Sequence, residues 1–223
     1  ELSLVAALFA VVGGIGLGVY TAMRRKSLVS RTIMGVSLVG VSLPTFLIGI
    51  GLIYLFSVEL KWLPAFGRGT LVNVGGWQTG LLTVSGLSAL VLPAITLGFF
   101  KLTLIMRLVR TEMLDVLRSD YIRFARARGL RNATLYGRHA LRNTLIPVIT
   151  IIGLQLGSLI AFAIVTETVF QWPGLGLLFI TSIQGVDVPV ISAYLLMIGL
   201  LYVGINLVVD LLYAWADPRL RRR

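Results

Sequence analysis

Residues 108–143 read LVRTEMLDVLRSDYIRFARARGLRNATLYGRHALRN, and nine arginines lie between Arg107 and Arg142. The chain around them is apolar: 57% of its 223 residues are hydrophobic, 13% are charged, and the mean hydropathy is +0.93. A soluble domain carries about twice that share of charge, so this is the composition of a membrane protein. The net charge of +11 would suit a nucleic acid, but a nucleic-acid binder spreads its basic residues over a water-facing surface. Here they are interposed between long apolar stretches, so the expected partner is the lipid bilayer and not nucleic acid.

A helix needs about 20 predominantly apolar residues to cross the hydrocarbon core. Five stretches qualify, roughly 3–22, 33–57, 86–108, 145–166 and 191–214. They predict an all-α, polytopic integral membrane protein with five transmembrane helices in one domain, residues 1–223. Cytoplasmic connections collect Lys and Arg. Arg24, Arg25, Lys26 and Arg31, the nine arginines from Arg107 to Arg142, and Arg219, Arg221, Arg222 and Arg223 fall on one side and make up 17 of the 20 basic residues. The other side has Lys61 and Arg68, and Lys101 lies inside a span. The C-terminus and the connection 107–144 are therefore expected in the cytoplasm, with residue 1 outside. An outside start without a cleavable signal implies one earlier span, six in the full subunit.

Gly14 with Gly18, and Gly153 with Gly157, have the spacing that lets transmembrane helices pack closely. Pro44 and Pro93 predict kinks and Pro147 opens a span. Trp62, Trp77 and Trp172 suit an interfacial belt. Chemistry is sparse. The chain has no cysteine and one histidine, His139, which excludes a thiolate or histidine-rich metal site and leaves an intramembrane enzyme little to work with. No glycine precedes a lysine, so there is no phosphate loop. Lys101 is expected to snorkel to the headgroups. Gln155, Asn206 and Asp210 are candidates for a polar path or for contacts between helices.

Within the quoted stretch, Met113, Leu114 and Leu117 form the apolar face of a helix continuing the third span. Asp120 is placed to cap a short helix, Tyr121 to Arg128, that Gly129 ends. Asn132 is placed to cap a third helix running through His139 to Asn143. Ala125 and Gly129, four apart, predict a small, bare face edged by Tyr121, Phe124 and Leu130, suited to a groove on another protein. Arg123, Arg126 and Ala127 complete that candidate surface.

DYIRFARARGL followed by RHALRNTLIPVI resembles the cytoplasmic EAA loop of the membrane permeases of binding-protein-dependent ABC importers, in the form found in the dipeptide, oligopeptide and nickel subgroup. ETVFQWPGLG, with Glu167, Trp172, Pro173, Gly174 and Gly176, is similar to that subgroup's extracytoplasmic signature. SLPTFLIGIGLIYLF and DLLYAWADPRLR also resemble its spans and C-terminus. The resemblance implies the type I importer permease fold and a non-catalytic subunit of the bacterial inner membrane. It implies a coupling loop over 107–144, two separate ATPase subunits that bind ATP and Mg, a second permease subunit and an extracytoplasmic binding protein. The implied substrates are di- or oligopeptides, with nickel and oligosaccharides as alternatives; a channel or scaffold is the reading from a different class. Only Ala125 and Gly129 keep the general EAA pattern, because Arg123 stands where that pattern has glutamate.

Overall fold

In hydrocarbon a backbone finds no water to bond, so every apolar stretch has to satisfy its own amides as helix. The protein is described here by a computed structural model covering residues 1–216; the side chains of 146, 150, 154, 156–158, 160–162, 209, 210 and 212–216 lie outside the described set. Its helices are α1 (Leu2–Met23), α2 (Leu28–Ser42), α3 (Thr45–Leu52), α4 (Val84–Arg118), α5 (Asp120–Ala127), α6 (Asn132–Thr134), α7 (Leu141–Val169), α8 (Leu175–Gln184) and α9 (Val188–Ala216). π-helical turns extend α3 through Ile53–Glu59 and join α6 to α7 through Leu135–Ala140. A short antiparallel hairpin, β1 (Val72–Val74) and β2 (Trp77–Thr79), lies between α3 and α4.

Helices α1, α4 and α9 are each long and apolar enough to cross a bilayer. Helix α7, at 29 residues, is about 43 Å long, also enough to cross. The stretch 33–57 is not one straight span. It breaks at Leu43 and Pro44, and its halves are bent by 116°. Proline has no amide to donate and holds the residue before it extended, and Leu43 has ψ 139°. Below the break α2 climbs beside α4: Arg110 Nη1 donates to Ser30 Oγ at 3.5 Å, and a Cβ at Gly40 would meet Phe99 and Thr103. Above it α3 turns across, and a Cβ at Gly49 would meet Thr96, Val169 and Phe170. Pro93, by contrast, sits within an uninterrupted α4, and Pro147 lies inside α7 rather than at its start.

The tightest packing joins α1 to α4. Leu2, Ala6, Ala10, Gly14, Gly18 and Ala22 recur every four residues and are all buried. A Cβ at Gly14 would lie 2.8 Å from Ile105, and one at Gly18 would lie 2.7 Å from Val109 and 2.8 Å from the Met106 carbonyl. The seam is reciprocal, since a Cβ at Gly98 would lie 2.7 Å from the Ala6 carbonyl. Only small residues allow backbones this close. Gly157, of the second glycine pair, is among the residues whose surroundings lie outside the described set.

Gly18→Leu should separate α1 from α4 and destabilise the protein by about 1–3 kcal/mol, whereas Gly16→Leu should be tolerated, because nothing lies within 4 Å of a Cβ there. Thermal unfolding followed by detergent size-exclusion checks this; equal losses for the two variants would contradict the seam.

Candidate functional site

Helix α4 runs on beyond the apolar span to Arg118, and Met113 near its end is fully buried. Ser119 then closes it: its hydroxyl donates to the Val116 carbonyl at 2.6 Å. The turn therefore falls one residue earlier than the sequence suggested, with Ser119 in the cap position and Asp120 the first helical residue. The same shift puts Arg131, not Asn132, before α6. The underside of α5 is Ile122 and Ala125, which pack with Ala22 of α1, Met113 of α4, and Leu135 and Ala140 of the π turns.

This overturns the bare outer face expected of Ala125 and Gly129. Ala125 is 5% exposed and faces inward; Gly129 lies past the helix at φ +78°, where a side chain would meet nothing within 4 Å. The outward face belongs to Tyr121 and Phe124, 50% and 65% exposed, with Arg123, Arg126, Ala127, Arg128 and Leu130 around them, all exposed. Arg128 sits 5.8 Å over the Phe124 ring. Arg123 pairs with Asp120 at 3.2 Å in full solvent, where such a pair contributes little. The Tyr121 hydroxyl and His139 Nδ1 are 2.5 Å apart with their rings edge to face, so His139 ties α5 to the π turns. Asn143 is exposed in the first turn of α7.

At the other end of α7, Glu167 accepts the amides of Gly176 at 2.7 Å and Leu177 at 3.0 Å. These open α8, so a carboxylate sits on the positive end of a helix. A Cβ at Gly174 would lie 2.4 Å from the Glu167 carboxyl carbon, and one at Gly176 would lie 2.7 Å from Ile164, which is why ETVFQWPGLG needs both glycines. The Trp172 amide donates to the Glu167 carbonyl at 2.8 Å. Trp172 is buried and stacks beneath Arg68 at 5.9 Å, so it is not an interfacial belt residue, whereas Trp62 and Trp77 are exposed. Pro173 is exposed on the rim of a cavity of about 290 Å³ lined also by Glu1, Arg68, Glu167 and Tyr194. Burial opposes ionisation of Glu1, but hydrogen bonds from Arg68, Thr79 and Trp77 outweigh it and hold its carboxyl below the ordinary range.

Midway along α4, Lys101 departs from its expected snorkelling. It is 6% exposed, and its Nζ donates to Gln155 Oε1 of α7 at 2.6 Å. Gln155 thus makes the contact between helices expected of it, and Lys101 is the residue that sequence reasoning missed. Its signal was an ionisable group inside an apolar span, a candidate for a polar contact or path by default. Asn206 is half-buried on α9; the side chain of Asp210 lies outside the described residues.

The family of binding-protein-dependent transport system inner membrane components matches residues 14–222. The chain is 45% identical to the Di/tripeptide transport system permease protein DppB of Pseudomonas aeruginosa, across 100% of this chain and 70% of that protein. It is 40% identical to the Dipeptide transport system permease protein DppB of Escherichia coli K12, with the same coverages. It is also 40% identical to the Glutathione transport system permease protein GsiC of Pectobacterium atrosepticum, across 96% of this chain and 64% of that protein. Among solved structures, the inward-facing MetNI methionine ABC transporter matches in fold with a TM-score of 0.70 and 18% identity, covering 97% of this chain and 91% of that one.

Glu167→Ala should leave two amides of α8 without their acceptor, at about 1–3 kcal/mol each. Amide hydrogen exchange should then quicken over residues 175–184 while α1 keeps its protection. Unchanged exchange in α8 would show that the carboxylate does not hold it.

Proposed function

The chain belongs to the family of binding-protein-dependent transport system inner membrane components, and on that premise we propose that it is one permease half of an ATP-driven importer of short peptides. The observation that carries this reading is the seat of α5: a two-turn helix whose inner face is joined to the end of α4 through Ile122, Ala125 and Met113, and whose outer face offers Phe124 and Tyr121. An aromatic side chain standing out from a rigid base suits insertion into an apolar groove on a partner. The arginines around it favour an acidic rim and speed encounter.

In this reading the groove belongs to a separate ATPase subunit, which supplies the nucleotide and Mg sites that a chain without a phosphate loop lacks. The loop and the C-terminus are cytoplasmic, as the distribution of arginines favours. Displacement of α5 by the ATPase is delivered to α4, a single helix from the loop to the outer surface. A second, homologous permease completes the path, and an extracytoplasmic binding protein delivers the substrate on the side of Glu167 and α8. Peptides are the substrate class supported by relatives at 40–45% identity that carry di- and tripeptide transport names.

In the complete transporter, Phe124→Glu should still insert in the membrane but lose ATPase subunits on copurification, with ATP-dependent dipeptide uptake falling about tenfold or more, as for a central aromatic anchor. Arg126→Ala should cost about 1 kcal/mol or less, as one rim charge of several. Full copurification and uptake with Phe124→Glu would remove α5 as the docking element.

A further inference from the structure

Where α1 ends, a cavity of about 240 Å³ opens between that end, the continuation of α4, α5 and the π turns. Arg25, Arg118 and Arg126 reach it from three separate elements, Tyr136 lines it as well, and among the described residues no carboxylate does. All three arginines are exposed, so a ligand has access to them. The acidic residues of the surrounding elements are Glu112 and Asp115 of α4 and Asp120 of α5. The two ion pairs among the described residues, Arg68 with Glu1 and Arg123 with Asp120, involve none of the three arginines. Charges of one sign around a cleft repel one another and concentrate anions within it. A guanidinium matches phosphate with two parallel N–H donors, and a phenol such as that of Tyr136 can add a third. The depth of the cavity indicates which phosphate. Helix α1 has 22 residues and is therefore about 33 Å long, close to the ~30 Å thickness of the hydrocarbon core. Ala22 and Met23 at its end, and the cavity beside them, lie at the level of the lipid headgroups, where basic pockets between helices bind anionic lipids.

We propose that this cavity holds the phosphate of an anionic phospholipid between Arg25, Arg118 and Arg126, and that the bound headgroup clamps α5 to the ends of α1 and α4. The cavity shares its walls with the seat of α5: Ala22 belongs to the buried core there, and Leu114, Leu117 and Tyr136 pack against that core. Occupation replaces a repulsion among three guanidiniums by a common counter-ion, and an empty cavity leaves α5 more loosely seated. Lipid composition would then set how firmly the docking element is held. Neither ATP nor peptide takes part, so the inference goes beyond the importer reading and does not depend on the substrate.

Two measurements on the complete transporter test this. In the first, phosphatidylglycerol is titrated into the detergent-solubilised protein and bound lipid is counted by native mass spectrometry. Arg25→Gln and Arg118→Gln together should weaken binding about tenfold or more, at roughly fivefold for each arginine. Arg138→Gln removes an exposed arginine of the same π turns that does not line the cavity, and should leave binding nearly unchanged. Equal losses for the double variant and Arg138→Gln would reduce the effect to general charge and refute the site, as would no loss in either. Displacement of the lipid by inorganic phosphate at equal concentration would assign the arginines to a soluble phosphate and overturn the headgroup. The second measurement needs no variant to fold: amide hydrogen exchange over residues 120–127 is compared in bilayers of phosphatidylcholine alone and of phosphatidylcholine mixed with phosphatidylglycerol. The anionic lipid should slow exchange in the wild type and not in the double variant. Equal exchange of the wild type in both bilayers refutes the clamp. The importer reading stands under every one of these results, because uptake enters neither measurement.

Discussion

The rest of the structure depends on how closely α1 and α4 approach. Lipid tails are as apolar as the side chains they touch, so burial gives membrane helices little reason to associate; close van der Waals contact does. The repeat of Ala6, Ala10, Gly14, Gly18 and Ala22 removes side-chain bulk along most of one face of α1. Gly98 does the same at one point of α4. The two backbones then fix each other over most of the bilayer, and α4 becomes a spine to which other elements attach in order. The hairpin and Thr83 cap, whose hydroxyl accepts the Gly86 amide at 3.0 Å, lie at its outer end, Lys101 in its middle and the α5 seat at its inner end.

Polar groups connect α7 to that spine and to α8, and in both places one group has several duties. Glu167, in the last turn of α7, is also the acceptor for the first amides of α8, so the direction of α8 is set by one carboxylate in contact with two glycines that leave it room. Lys101 and Gln155 fix the depth of α4 against α7 with a charge-assisted hydrogen bond. A wrong register of either helix would part this ammonium from Gln155, so the contact selects the packing more sharply than apolar contacts can.

Much of this was legible from the sequence. The apolar stretches, the Gly14–Gly18 seam and the short helix of the loop follow from span length, spacing and turn residues. What escaped has a common cause. The burial of Lys101, the inward turn of Ala125 and the burial of Trp172 depend on which neighbour occupies each face, and helical spacing shows only which residues share one. Ala125 and Gly129 are four apart, which places them together only if the helix continues through both; it ends at Ala127, and Gly129 at φ +78° turns the chain away. The break at Pro44 was expected as a kink, but the 116° turn needs the space between α4 and α7 that α3 fills.

The π turns show the same limit in its clearest form. Leu135 and Ala140 are both fully buried in the core beneath α5. At about 100° per residue, positions five apart on an α-helix point roughly 140° away from each other, and a 3.6-residue reading assigns them to different faces. The i to i+5 winding over Leu135–Ala140 brings such residues onto nearly one face. The less common helix is therefore what lets a single short segment cover α5 and α4 at once, and an α-helical register there would expose one of the two side chains. It also places His139 beside Tyr121 on the rim of the same surface. The underside that holds α5 rigid against α4 thus depends on a local winding that no apolar periodicity announces, and the outward stance of Phe124 follows from it.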